Sequence, residues 1–142
     1  MNSVFGFDET QKALAGLQSK LASRMRQAMQ DAALIVENAA KENIVHGRTD
    51  WPALSPSTLA RRKDNKPLYD TGDLMRGIHS EAEEMRAVIG SGREDAPVHE
   101  FGATTAGRSR NIKIPARPYL EPALLENFRE VQEIFVRRLR GH

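Results

Sequence analysis

The sequence predicts an α+β protein in which a long N-terminal helix and a C-terminal helix pack on a small antiparallel β-sheet, with short helices in the connections. Three observations support this prediction. Apolar residues recur at three- and four-residue steps near each end of the chain, and a strand-like segment lies between these two regions. With 142 residues, 39% hydrophobic and 28% charged, the chain can bury one core, so residues 1–142 are expected to form a single domain.

The first predicted helix runs from residue 8 to about residue 45. Asp8 and Glu9 give it an acidic start that suits the helix dipole, and Gly47 tolerates the left-handed conformation that commonly ends helices. Its alanine-rich second half permits close approach of a neighbouring backbone, from the same chain or from another subunit. The apolar stripe comprises Leu14, Leu17, Leu21, Met25, Ala28, Ala32, Ile35 and Ala39.

Short helices are predicted in the connections. Ser55-Pro56 has the residue types of an N-cap followed by the first helical position, and this helix extends to Arg62. Residues 71–73 begin another helical turn, and residues 98–101 form a further turn that Gly102 ends. These elements connect the two long helices to the predicted strands.

A hairpin and a final helix complete the predicted fold. The hairpin has arms at about residues 78–82 and 85–90, with a turn near residues 83–84. Residues 103–111 have no apolar anchor and are predicted to be mobile unless a contact holds them, before a short β-like run at residues 112–114. The last helix begins near Glu121-Pro122, and its apolar face comprises Leu124, Phe128, Val131, Phe135 and Leu139.

Composition and motif content argue against several classes of protein. The chain contains no cysteine, which excludes disulfides and thiolate metal sites and is compatible with a reducing cytoplasm. No run approaches the ~18 apolar residues that span a bilayer, and the N-terminus lacks the basic and apolar regions of a signal peptide. Phosphate-binding loops, serine elbows and His-Glu-x-x-His motifs are also absent from the sequence, so we predict no cofactor, no metal and no membrane partner.

Asp70-Thr71-Gly72 has the spelling of an aspartic protease half-site. Such a site needs a second aspartate across a dyad, so that two carboxyl groups share one proton, and a homodimer could supply it. Here, however, a turn precedes the triad and Asp73-Leu74-Met75-Arg76 follows, which is typical of a helix start. We therefore predict a helix cap at this position, and the aspartyl hydrolase hypothesis ranks last.

Basic and acidic residues are segregated along the chain, although the formal net charge is only +2. Basic clusters occur at residues 61–63, at Arg108 and Arg110, and at residues 137–140, whereas residues 81–84 are acidic. Such segregation suits docking between unlike protein faces, and solvated surface charge is the plainer interpretation of any one cluster. The same arginines could contact phosphates, which would make the chain a small nucleic-acid-binding module.

Trp51 is the only tryptophan, and two interpretations fit it. It either fills the core after the long helix or serves as an exposed aromatic anchor at a subunit contact. The sequence offers no candidate catalytic, cofactor-binding or metal-binding residues. The candidate partner-binding residues are Trp51, Arg61, Arg62, Arg108 and Arg110.

Three spaced pieces of the sequence carry a family resemblance. They are Trp51 to Leu59 followed by the basic residues 61–63; Pro67 to Leu74; and His99 to Gly102 followed by Ile114 to Leu120. In this order they resemble the virion morphogenesis (tail completion) proteins of Mu-like tailed phages and prophages. The resemblance is strongest over residues 51–125, and the helix before Trp51 is compatible with it.

The resemblance implies a non-enzymatic structural protein that acts in tail completion or head–tail joining. It further implies a homo-oligomeric ring that docks on other phage tail or connector proteins, assembles in the host bacterial cytoplasm and ends in the virion. The family offers no catalytic residues to carry over. We expect the arm at residues 103–111 to become ordered against a neighbour during assembly.

Overall fold

The computed structural model describes the backbone of residues 2–62 and 64–141 and the side chains of residues 6–62 and 64–141. The α+β class predicted from the sequence is confirmed. In chain order the described residues form α1 (Asn2–His46), α2 (Pro56–Arg61), α3 (Asp73–Arg76), β1 (Ile78–Ala82), β2 (Ala87–Ser91), α4 (Ala96–Phe101), β3 (Ala103–Ala106), β4 (Ile112–Ile114), α5 (Glu121–Glu126) and α6 (Phe128–Arg140).

The second half of α1 is the helix against which α3, α5, α6 and the β1–β2 hairpin pack. Its buried face is mostly alanine, which lets α6, α5 and the β1–β2 hairpin approach the helix closely. Larger residues join this face toward the C-terminal end of the helix, where the hydrophobic core lies. The buried residues of α1 are Ala28, Ala32, Ala33, Val36, Ala40 and Ile44.

The β1–β2 hairpin lies against α1 in the predicted place. The two strands are antiparallel, with Ile78 opposite Ser91 and Ala82 opposite Ala87. Ile78 is buried against the core, and the Ser80 hydroxyl donates a hydrogen bond to the Glu37 carboxylate of α1. Alternate side chains of β1 therefore face the helix and the solvent.

A second two-stranded sheet is present in addition to the β1–β2 hairpin, where the sequence predicted one sheet and a mobile arm. Residues 103–106 form β3, which pairs antiparallel with β4 through an irregular register. Gly107 (φ 82°) and Arg110 (φ 53°) adopt left-handed conformations in the turn, and the amide of Arg110 donates to the carbonyl of Gly107 at 3.1 Å. This pairing was not predicted, because local periodicity cannot show that residues 112–114 fold back on residues 103–106.

The C-terminal helix, predicted as continuous, is broken at Asn127. Its backbone leaves the helical conformation (φ −104°, ψ 7°), and its side-chain amide donates to the carbonyl of Ala123 at 2.8 Å. After this break α6 packs along α1, where Ile134 is buried and Arg138 bonds the Asp31 carboxylate at 2.7 Å. None of the helices in the described residues combines the length and apolarity that crossing a bilayer requires.

Candidate assembly surfaces

A buried carboxylate organises the region that carries the third sequence piece. Glu100, at the end of α4, is only 6% exposed. One carboxylate oxygen accepts hydrogen bonds from the amides of Tyr119 at 2.7 Å and Leu120 at 3.0 Å, and the other accepts from the amide of Glu121 at 3.0 Å. The first amides of α5 would otherwise lack partners, so the negative side chain caps the positive end of that helix from another element.

Arg117 and Trp51 connect the third piece to the first. The guanidinium of Arg117, 8% exposed, donates to the carbonyl of Pro52 at 2.9 Å and to that of Ala53 at 3.0 Å. In return, the indole N–H of Trp51 donates to the carbonyl of Pro118 at 2.8 Å. Trp51 is 7% exposed, which agrees with the core interpretation and leaves the indole little surface to offer a partner.

Tyr119 joins both pieces to α1. The side chain is 1% exposed, its hydroxyl donates to the carbonyl of Ala96 at 3.4 Å, and Asn43 of α1 donates to its backbone carbonyl at 3.1 Å. Burial, with a smaller contribution from Glu100, raises the pKa of Tyr119 to about 12, so the phenol stays neutral and can donate. The three family-like pieces thus hold the fold together.

The predicted arginines of the first cluster have different surroundings. Arg62 is partly buried, donates to the carbonyls of Lys66 at 3.0 Å and Pro67 at 3.2 Å, and lies 3.6 Å from the Asp70 carboxylate. Arg61 is exposed at the end of α2, and Lys63 lies outside the described residues. Arg62 therefore stabilises a turn, whereas Arg61 is accessible for contact.

The second arginine pair lies at the turn of the β3–β4 hairpin, where Arg108 and Arg110 are both exposed. Among the described residues, neither strand of this hairpin packs extensively against a helix or against the other sheet. Two apolar side chains of this region are also exposed, Phe101 at the end of α4 at 80% and Ile112 of β4 at 55%. The hairpin combines positive charge and apolar area on an element that stands apart from the core.

The first half of α1 presents a further apolar surface. Its stripe was recognised from helical spacing, but local spacing cannot show that the chain leaves it uncovered. Leu14 is 60% exposed and Leu17 is 53% exposed, and a groove of about 670 Å³ separates the stripe from Met85 at the β1–β2 turn. Exposed apolar area of this kind is typical of a protein–protein contact.

Asp70-Thr71-Gly72 lies at a helix start, as predicted. Gly72 has φ 81° and is followed directly by α3, and the hydroxyl of Thr71 accepts from the amide of Asp73 at 3.4 Å. Side-chain hydrogen bonds from Thr71 and then from Arg76 to the Asp73 carboxylate hold the pKa of that carboxyl below its usual value. The aspartate of the triad itself, Asp70, is exposed and lies 3.6 Å from the Arg62 guanidinium, an ion pair that differs from the shared-proton pair of carboxyl groups in an aspartic protease.

The polar cleft beside this motif is also filled with paired charges. It has a volume of about 270 Å³ and contains Arg93, Asp95 and His99 among its lining residues. The Arg93 guanidinium bonds Asp95 at 2.8 Å and lowers the pKa of that carboxyl, while burial lowers the pKa of His99. Within the described residues, no three histidine or carboxylate side chains are grouped in a way that could hold a metal ion.

Comparison with known proteins gives consistent matches. The phage virion morphogenesis family matches residues 6–140. The chain is 33% identical over 116 residues to the Mu-like prophage FluMu G protein 2 of Haemophilus influenzae, which covers 77% of this chain and 79% of that protein. It is 37% identical over 75 residues to the putative capsid assembly protein G of Escherichia phage Mu, covering 49% of this chain and 48% of that protein. No solved structure matches.

Proposed function

Because this chain belongs to the phage virion morphogenesis family, we propose that it is a structural, non-enzymatic protein that completes the tail or joins head to tail in a Mu-like phage or prophage. The observation that carries this proposal is the family match, which extends over both long helices and all three sequence pieces. The name of one relative refers to capsid assembly, and a role in capsid assembly is the alternative within the same class of structural phage proteins.

The distribution of side chains supports assembly rather than catalysis. Polar groups that could do chemistry are engaged in structural bonds, as Glu100 caps α5 and Arg117 holds two backbone carbonyls. Large apolar residues, by contrast, lie at the surface of α1 and of both hairpins, where Leu14, Met85 and Phe101 are each at least 60% exposed. A protein that works by burying these surfaces against neighbours explains both features.

We further propose that copies of the chain form a ring, which docks on other tail or connector proteins. Assembly takes place in the host bacterial cytoplasm and places the protein in the virion. Among the candidate partner-binding residues, exposure favours Arg61, Arg108 and Arg110, while Trp51 and Arg62 already have structural roles. The exposed arginines suit the rim of such contacts, where charge governs specificity and association rate.

Deletion of the gene from an inducible prophage tests this function. Electron microscopy of the induced lysate should show heads and tails that are made but not joined, or tails that are unfinished, and a plasmid copy should restore infectivity. A lysate that lacks closed heads would instead indicate capsid assembly. Normal infectious particles from the deletion would overturn the proposal as a whole.

A second candidate function is nucleic-acid binding by the β3–β4 hairpin. The observation in its favour is that Arg108, Arg110 and Lys113 are all exposed on this hairpin. Oligonucleotide binding should then weaken steeply with salt and disappear when Arg108 and Arg110 are changed to glutamate. Absence of binding at low salt would remove this candidate.

A further inference from the structure

The α1 extension, which we define as residues 6–21, is a stretch of helix that its own chain leaves uncovered, since every one of these residues is exposed. Phe7, Leu14 and Leu21 recur at seven-residue spacing, and Leu17 lies between the last two. These four side chains, which we call the seam, therefore share one side of the helix, with the spacing that paired helices use. They are between 42% and 64% exposed, so the seam has apolar area to offer a second helix.

Charge is distributed unevenly along the same part of α1. Asp8 and Glu9 are the only acidic residues among the first 30, whereas residues 10–30 contain two lysines and two arginines. The helix begins at Asn2, so both carboxylates lie beyond its first turn, where interaction with the helix dipole is strongest. Both are exposed, and their charge is available for contact with another element.

The groove between the seam and Met85 fits an occupant that is apolar and acidic. Among the described residues that line it, Glu84 is the one carboxylate, and it already faces Arg26 at 4.0 Å. The lysines and arginines of α1 therefore leave the surroundings of the groove positive. Residues 7–9 of the same chain combine an exposed aromatic ring with two carboxylates, which is the chemistry that this groove lacks.

An antiparallel pair of extensions brings these unlike charges together on both flanks of the seam. Glu9 and Lys20 are eleven residues apart, about three turns of the helix, so they lie on one flank. Asp8 and Arg26 are eighteen residues apart, about five turns, and lie on the other flank. Around a two-fold axis level with residues 15–16, each flank meets the same flank of the second helix. Each acid then lies within about 5 Å, along the helix axis, of the matching base of the other chain.

Other pairings of two extensions satisfy fewer groups. Parallel helices in register place Glu9 against Glu9 and Lys20 against Lys20, so like charges meet. Parallel helices that are shifted along the axis leave one groove and one acidic start of each pair uncovered. The antiparallel pair covers both and also keeps the rest of each chain apart. Ala28, the first buried side chain of α1 among those described, lies about 38 Å along the axis from its counterpart.

We propose that the α1 extensions of two copies of this chain pair antiparallel, so that the acidic start of each extension occupies the groove of the other. Leu14 of one chain then meets Leu17 of the other at the centre, and Phe7 reaches the Leu21 end of the opposite seam. A two-fold contact of this kind closes on itself, so a ring joins such pairs through other surfaces. This inference rests on the self-assembly proposed above and specifies one of its contacts.

Charge exchange tests the contact in the purified full-length protein. E9K and K20E should each weaken self-association about fivefold or more in sedimentation measurements at low salt, because symmetry places like charges together twice. E9K/K20E should restore association to within about twofold of the wild type, since each new charge meets its opposite. K12E is the matched control: it changes the charge as K20E does, but Lys12 lies on the side of the helix opposite the seam. Equal effects of K12E and K20E, or no recovery in the double variant, would overturn the proposal.

Cysteine cross-linking tests the direction of pairing, and it also detects weak association. The chain lacks cysteine, and Thr10 of one extension lies level with Leu21 of the other. Oxidation of T10C/L21C, in purified protein and in an assembling phage lysate, should therefore give a covalent dimer and no larger product. T10C alone and L21C alone should stay monomeric, because equal positions of the two helices are about 16 Å apart along the axis. K12C/S19C is the matched control, since these positions are also level with each other but face away from the second helix.

Three results of the cross-linking would overturn the contact. A ladder from T10C/L21C would indicate shifted parallel helices, and a dimer from T10C alone would indicate parallel helices in register. Absence of the T10C/L21C dimer from both preparations, or equal dimer from K12C/S19C, would show that the seam does not bind a second copy. In each case the deletion phenotype would still stand as evidence for the function.

Discussion

Replacement of Glu100 by alanine should destabilise the fold more than any ordinary surface change. The carboxylate accepts three backbone amides of the α5 start at 2.7 to 3.0 Å, and alanine leaves all three without a partner in a buried region. Each bond to a charged group contributes about 1.5–3 kcal/mol, and water entering the space recovers part of the loss. The expected decrease in the free energy of unfolding is about 3–5 kcal/mol.

Glutamine at position 100 separates the contribution of the hydrogen bonds from the contribution of the negative charge. Its amide oxygen can still accept from part of the set, but its NH₂ group then faces an amide donor and the negative charge at the helix start is lost. The expected decrease is about 2 kcal/mol, between that of alanine and no change. Glu94→Gln is the matched control because Glu94 is exposed in a loop, and its effect should stay within about 0.5 kcal/mol.

Urea unfolding followed by Trp51 fluorescence is the suitable assay. The chain has one tryptophan, and its indole bonds Pro118 next to the capped helix, so the emission reports on this region directly. From most to least stable in free energy of unfolding, the variants should rank Glu94→Gln, Glu100→Gln and Glu100→Ala. The reasoning is refuted if Glu100→Ala costs less than about 1 kcal/mol, or if Glu100→Gln matches the exposed control.

Three further outcomes follow from the same structure. Arg117→Met should lower the free energy of unfolding by about 2–3 kcal/mol in the urea assay, since it removes two charge-assisted hydrogen bonds, to the carbonyls of Pro52 and Ala53. Gly102→Ala should destabilise far more than Gly47→Ala, because both have positive φ but only at Gly102 would a Cβ lie within 2.8 Å of backbone atoms. Burial lowers the pKa of His99, so stability should fall as pH drops below about 6.5, where the unfolded chain takes up the proton more readily; His99→Gln should reduce this fall between pH 7.5 and 5.5.

Much of the fold could be predicted from local sequence because its signals are local. The helical spacing of α1 and the Ser55-Pro56 start of α2 are set within one or two helical turns, and both are confirmed. The predicted acidic start of α1 at Asp8 is wrong, because the helix begins at Asn2. The β1–β2 hairpin was also recognisable, since its two arms are separated by a turn of only a few residues. Gly102 ends α4 with φ 74° and ψ 178°, a conformation that excludes most other residues.

The remaining features depend on partners that are distant in sequence, or on single side-chain hydrogen bonds that leave no mark on hydrophobic periodicity. The pairing of β3 with β4 across the Gly107 turn was missed because the strands are short and polar. Asn127 breaks the last helix through a bond to Ala123 that helical spacing does not reveal. The capping role of Glu100 involves amides 19 to 21 residues away, so no motif around it could indicate its burial.

The residues that identify the family and the residues that are free to assemble form two different sets. Trp51, Glu100, Arg117 and Tyr119 are buried and bonded to one another's segments, so a chain that keeps them keeps this fold whatever its surface carries. The exposed positions on the β3–β4 hairpin and on the first half of α1 lie mostly outside those bonds and can change without unfolding the protein. Family membership therefore supports the structural class strongly, whereas the identity of each partner depends on the exposed set, which is where substitutions should alter assembly and leave stability unchanged.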